Sequence, residues 1–84
     1  MDYIRYPPTV KVLVEEIKRA SDDYFARQLP EEQLRSITLE WAKTSGDKLF
    51  AGPHQFSSTV EQRLGQKRLK LINIMLSGWH YEKR

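Results

Sequence analysis

The sequence predicts an all-α fold, a small three-helix domain, and three observations carry that prediction. Residues 9–28 repeat their apolar side chains with helical period, a second such repeat follows Pro30, and a capping signature at residues 58–61 opens a third helix. The expected organisation is a single domain over residues 1–84. It has an extended lead-in over 1–8, an irregular connection before the third helix and a tail over 79–84.

The lead-in, "MDYIRYPP", is extended because Pro8 biases Pro7 away from helical backbone. In the first helix Val10, Leu13, Val14, Ile17, Ala20, Ser21, Tyr24 and Phe25 fall on one side. Lys11, Glu15, Glu16, Arg19, Asp22 and Asp23 collect on the other, where oppositely charged neighbours at spacing three or four add a few tenths of a kcal/mol each. The second helix, "LPEEQLRSITLEWAKTSG", begins at Pro30, whose missing N–H costs nothing there. Glu31 and Glu32 suit its positive end. Leu34, Ile37 and Trp41 form its apolar stripe, and Gly46 is placed to cap it in a left-handed conformation.

"DKLFAGPHQF" breaks any regular pattern, with a turn at Gly52-Pro53. Leu49, Phe50 and Phe56 are apolar enough that this connection should fold back over the helices. The third helix then starts with Ser58 as N-cap and Glu61 three positions on, and runs to about Ser77, where Gly78 offers a stop.

Composition limits what such a domain can do. An 84-residue chain has room for one small core, burying roughly 60–65% of its unfolded surface. With no cysteine, disulfides and zinc-thiolate sites are excluded. No run approaches the roughly 20 apolar residues of a membrane span, and the N-terminus lacks the order of a signal peptide. These readings predict a cytoplasmic protein. The net charge of +3 is unevenly placed. Residues 1–60 carry 8 Lys/Arg against 9 Asp/Glu, whereas residues 61–84 carry 6 against 2. The basic surplus therefore belongs to the C-terminal third, as in proteins that meet a polyanion or an acidic partner.

On a single helical wheel, residues 58–77 show three surfaces. Val60, Leu64, Leu71, Ile74 and Met75 form one apolar arc, and Leu69, Ile72 and Leu76 a second beside it. Arg63, Lys67 and Lys70 form a basic ridge that suits two or three phosphates and equally suits water. Arg68 projects between the apolar arcs, where an unpaired charge is costly. It should snorkel at the rim or meet an acidic side chain of the first or second helix, or of a partner chain. Gly65 costs about 1 kcal/mol against alanine inside a helix. Either another helix approaches it closely or the helix breaks there.

No arrangement of catalytic or metal-binding residues emerges. The two histidines, His54 and His80, lie in irregular segments. No carboxylate–histidine pair has metal-ligand spacing, no GxSxG surrounds Ser57 or Ser58, and the glycines form no phosphate-cradling loop. The prediction is a protein without enzymatic activity and without a cofactor.

"TVEQRLGQKRLKLI", preceded by "KLF", resembles a family of short bacterial proteins. They are known mostly as hypothetical proteins of spore-forming Gram-positive organisms. The specific part is the R-L-G-x-x-R-L core from Arg63 to Leu69, and "MDYIRYPP" and "GWHYEKR" lie outside the resemblance. It implies no activity, cofactor or binding residue.

Two functions follow as expectations. The first is a small helical protein-interaction module, self-associating or meeting another protein through Leu69, Ile72, Leu76 and Arg68. The alternative is weak, non-sequence-specific nucleic-acid or polyanion binding through Arg63, Lys67, Lys70, Lys83 and Arg84. A helix-turn-helix is disfavoured, because its helices are joined by three or four residues and about a dozen separate Thr44 from Ser58. RNA readout asks for aromatic side chains among the basic ones, and the ridge has none.

Overall fold

The computed structural model describes residues 3–52 and 55–77. Three main helices are present, α1 (Val10–Phe25), α2 (Glu31–Thr44) and α4 (Ser58–Met75). A one-turn α3 (Gly46–Leu49) and a two-stranded hairpin, β1 (Phe50–Gly52) and β2 (Gln55–Phe56), lie between α2 and α4.

Helix α1 starts where Thr9, in extended backbone, accepts the Val12 N–H on its hydroxyl at 3.2 Å. It ends in a Schellman arrangement, with the Gln28 N–H donating to the Asp23 carbonyl and the Arg27 N–H to that of Tyr24. The left-handed residue of that cap is usually glycine. Here it is Arg27, at φ 63°. Helix α2 has Pro30 at its N-cap and both glutamates in its first turn. Its C-cap is Ser45, so Gly46 is not a left-handed stop. Gly46 instead opens the extra turn of α3, where the Ser45 carbonyl accepts from Lys48 and Leu49.

The connection after α3 is more regular than the sequence suggests. Phe50 pairs with Phe56 across the antiparallel hairpin, their rings stacked at 5.3 Å. Strands of three and two residues are too short to show an alternating pattern. The expected folding-back is nevertheless present: Leu49 is fully buried and both phenylalanines pack on the core. Ser57, not Ser58, caps α4, accepting the Val60 N–H at 3.3 Å. Glu61 therefore sits one place beyond the position of a capping box.

Gly65 divides α4. Its φ of 79° and ψ of 167° lie in a region essentially reserved for glycine. A Cβ built there would meet nothing within 4 Å. Backbone conformation, not close helix approach, is therefore what this position demands. Residues 58–64 and 66–75 are two helical segments with separate axes, and a single wheel across both misassigns their faces.

The core gathers Leu13, Ile17, Leu34, Trp41, Leu49, Leu64, Ile72 and Met75, all fully buried. Each such side chain contributes on the order of 1.5–3 kcal/mol. The lead-in is fastened across α1 and α2. The Ile4 N–H donates to Glu16 Oε1 at 2.6 Å, and the Ile4 carbonyl accepts from Trp41 Nε1 at 2.7 Å. The Arg5 carbonyl accepts from Thr44 Oγ1 at 3.1 Å. Glu16, which the helical repeat assigns to the water-facing side, is consequently buried. Its second partner is Arg19, at 3.6 Å.

Two substitutions should run against ordinary helix propensity. Gly65→Ala should destabilise the fold by about 1–3 kcal/mol, although alanine is the better helix former. Arg27→Gly should stabilise it by about 0.5–1 kcal/mol, relief of the left-handed strain exceeding glycine's entropic cost. Urea unfolding of both variants checks the pair. A more stable Gly65→Ala would mean that α4 tolerates a straight path.

Candidate functional site

The side chains expected to need cover on the third helix are covered by the chain itself. Ile72 is fully buried, Leu76 is 6% exposed, and Leu69 packs partly on the same core. Once the wheel is restarted after Gly65, Leu71, Met75, Arg68, Ile72, Leu76 and Leu69 follow one another around a single broad face. The two arcs are one. A contact through Leu69, Ile72 and Leu76 would have to unpack the monomer, which corrects the reason for expecting an interface there.

Arg68 lies in the middle of that face, and its partner is Asp22 of α1. Nε donates to Oδ1 at 3.1 Å and one terminal nitrogen to Oδ2 at 3.1 Å, a bidentate bridge. The other terminal nitrogen reaches the Leu64 carbonyl at 3.4 Å, just before the break. Arg68 thus spends its charge inside the molecule, joining α1 to both segments of α4. At the far end of the helix Arg35 of α2 donates to the Met75 carbonyl at 3.3 Å.

The outer surface of α4 is different in kind. Arg63, Lys67 and Lys70 are all exposed, but Gly65 separates Arg63 from the two lysines, so the basic ridge is not continuous along one helix. Lys83 and Arg84 lie outside the described residues, as do His54 and His80. Within 66–75, Lys67, Lys70 and Ile74 stand at i, i+3 and i+7 and share one exposed side. Ile74, placed among the core residues by the single wheel, is 58% exposed. Phe25, expected on the buried side of the first helix, is 41% exposed, with the Lys67 ammonium 4.6 Å from its ring centre. Beside Phe25 an open depression of about 440 Å³ is lined by Tyr24, Phe25, Arg27, Leu29 and Pro30.

Among the described residues neither Lys67 nor Lys70 has a carboxylate within ion-pair distance. Asp22 is held by Arg68, and Asp23 Oδ2 accepts from the Tyr3 hydroxyl at 2.5 Å. Between Gln66 and Ser77 there is no acidic residue. The surface from Phe25 to Ile74 therefore combines two exposed apolar side chains with unneutralised lysine charge. It has no catalytic constellation. Among the described residues no group of three or more His, Asp or Glu comes together as a metal site, and no helix is long and apolar enough to cross a membrane.

A family model described as a conserved hypothetical protein matches residues 4–77. The chain belongs to that family of conserved hypothetical proteins. Its match takes in Ile4 and the prolines, so most of the lead-in, expected outside the resemblance, is part of the family's domain. That agrees with the structure, in which Ile4 is bonded to both α1 and α2. No curated protein and no solved structure matches the chain.

Three residues of this exposed surface escaped sequence reasoning: Phe25, Arg27 and Ile74. For Ile74 the signal was available in the spacing: it stands seven residues from Lys67 and four from Lys70, and a break at Gly65 separates it from the Val60–Leu64 side. Nothing in the sequence marks Arg27 as left-handed.

Tyr3 reports on the carboxylates of this region. Burial, the hydrogen bond to Asp23 and the Asp23 charge push its pKa from the ordinary 10.0 up to about 12. The fold favours the neutral phenol, so this contribution to stability is complete below about pH 10, the unfolded value. It is lost as the pH rises through about 12. Tyrosinate absorbance should accordingly show a component with a midpoint near 12. Tyr3→Phe should remove that component and Asp23→Asn should lower it. A titration unchanged by Tyr3→Phe would refute the assignment.

Proposed function

We propose that the protein is a small helical protein-interaction module whose contact surface is the outer side of α4 together with Phe25. The observation that carries this reading is the pairing of two large exposed apolar side chains, Phe25 and Ile74, with the exposed cations Lys67 and Lys70. Single exposed apolar residues are ordinary, whereas aromatic and aliphatic anchors set among cations are what a protein contact uses. None of the four side chains is needed to fill the core, so their placement is open to selection for binding. The reading includes a cytoplasmic setting, supported by the cysteine-free composition. It also includes an origin among spore-forming Gram-positive bacteria, supported by the Arg63–Leu69 resemblance. Self-association is kept only as a contact between these outer surfaces, since the Leu69–Ile72–Leu76 side is occupied within the chain.

The second reading is polyanion binding, favoured by the exposure of Arg63, Lys67 and Lys70 together. It predicts that affinity for fluorescent duplex DNA or RNA falls with salt, the logarithmic slope being about −2 to −3 for two or three phosphate contacts. Replacing all three cations should abolish it, and absence of binding at low salt would end this reading.

The interaction reading is tested by affinity capture after chemical cross-linking, with the wild-type chain and with Phe25→Asp/Ile74→Asp, whose changes lie outside the core. The expected result is a protein retained by the first and lost from the second. Identical captured sets would overturn it.

A further inference from the structure

The geometry points to a specific kind of occupant for this surface: an acidic segment of a partner protein, with large apolar residues on either side of its carboxylates. This inference rests on the interaction reading and adds the chemistry of the partner.

Four observations support it. The first is order. Phe25 lies against Lys67, and Lys70 and Ile74 follow on the same exposed side, so the sequence of chemistries is apolar, cationic, cationic, apolar. Lys67 and Ile74 are seven residues apart, about 10 Å along the helix. A partner segment of two helical turns spans the same length.

The second is the state of the charges. Arg68, the remaining cation of this segment, is paired with Asp22, whereas among the described residues neither Lys67 nor Lys70 has a carboxylate within ion-pair distance. Residues 66–77 contain no carboxylate of their own. The Lys67 ammonium rests on the Phe25 ring, an arrangement that orients a cation without neutralising it. An incoming carboxylate would meet a positioned charge.

The third is the depression at the α1–α2 turn. It opens beside Phe25, is walled by Tyr24, Leu29 and Pro30, and has Arg27 at its margin. It is open to solvent, so a large apolar residue of the partner would rest against the Phe25 ring at its edge and not be enclosed. A second covers Ile74 at the other end. Arg27 is held in a left-handed conformation at this margin by the helix cap. Its backbone is thereby fixed on the docking side.

The fourth observation separates a protein from a nucleic acid. Ile74 is an exposed aliphatic side chain, on which a base does not stack. Phosphates would use the lysines alone and leave Ile74 and the depression unsatisfied. An acidic, apolar-flanked protein segment uses all of them.

The test is fluorescence anisotropy with synthetic helical peptides, titrated to millimolar concentration. One probe carries two leucines seven positions apart with glutamates between them. A second keeps the glutamates and replaces both leucines by serine. A third keeps the leucines and replaces the glutamates by lysine. Duplex DNA of matched label is the fourth.

The first probe should bind at least tenfold more tightly than the second or third. Its binding should shift backbone amide signals of residues 25, 27, 67, 70 and 74. Lys67→Glu/Lys70→Glu should lower its affinity at least tenfold and raise that of the lysine peptide. Ile74→Asp should weaken the first probe while leaving the unfolding midpoint unchanged. Equal binding of the first and second probes, binding elsewhere on the molecule, or preference for DNA over every peptide would overturn the proposal. A partner captured by the wild type and lost from Phe25→Asp/Ile74→Asp, with none of the acidic probes binding, would overturn the acidic occupant and leave the interaction module standing.

Discussion

The backbone at Gly65 sets the rest of α4 in place. At φ 79° and ψ 167° the chain leaves helical geometry for one residue and resumes it on another axis. Before the turn, Val60 and Leu64 face the core. After it, the inward face is rebuilt from Leu71, Ile72, Met75 and Leu76. Had the helix continued straight, Ile74 would have stayed beside Val60 and Leu64, and the wider apolar surface would have needed cover from outside. The break lets one small domain bury nearly all of its aliphatic side chains with three helices. It also settles where Arg68 goes: to the partly exposed rim of the packed face, beside the Leu64 carbonyl and opposite the exposed Asp22.

The same economy governs the other polar groups drawn inward. Glu16 is 6% exposed, and it is accommodated by the Ile4 amide and by Arg19. Trp41, wholly buried, still directs its indole N–H to the Ile4 carbonyl. A tripeptide of the lead-in thus supplies partners that neither helix could provide from its own backbone. Tyr3 completes the arrangement, standing edge-on to Trp41 at 6.5 Å and beneath Arg19 at 4.7 Å. The lead-in behaves as a fourth structural element without regular secondary structure. Its place within the family match, from Ile4 onward, has this physical basis.

Much of the architecture was legible in the sequence because it rests on periodicity and caps. The spacing of Leu13, Val14, Ile17 and Ala20 specifies the buried side of α1, and Leu34, Ile37 and Trp41 that of α2. Pro30 marks its start. What could not be read depended on geometry over longer distances. The hairpin at Phe50–Phe56 is too brief to leave a pattern. Glu16 looks solvated until the lead-in is laid across it. Gly65 announced two alternatives of equal standing, and only its dihedral angles choose between them. The surface followed from that choice: the break separates Ile74 from the Val60–Leu64 side, and its spacing from Lys67 and Lys70 leaves it among the lysines.

The size of the outer surface bounds how it works. Two apolar anchors contribute at most about 1.5–3 kcal/mol each. Two lysines paired at a wet rim contribute roughly 0.2–1 kcal/mol each. Against these stands a cost of association of at least about 4 kcal/mol. The surplus corresponds to affinity of about a millimolar at best. Such a surface does not hold a partner permanently by itself. It suits a contact made repeatedly along a partner chain, or one that adds to a second attachment, where effective concentration multiplies a weak affinity without any new contact. Core and surface are carried by opposite sides of the same ten residues, so binding can change through Lys67, Lys70 and Ile74 while Leu71, Ile72 and Met75 keep the fold. The break at Gly65 lets the inward sides of the two segments be set separately, while the spacing of Ile74 from Lys67 and Lys70 leaves it among the lysines.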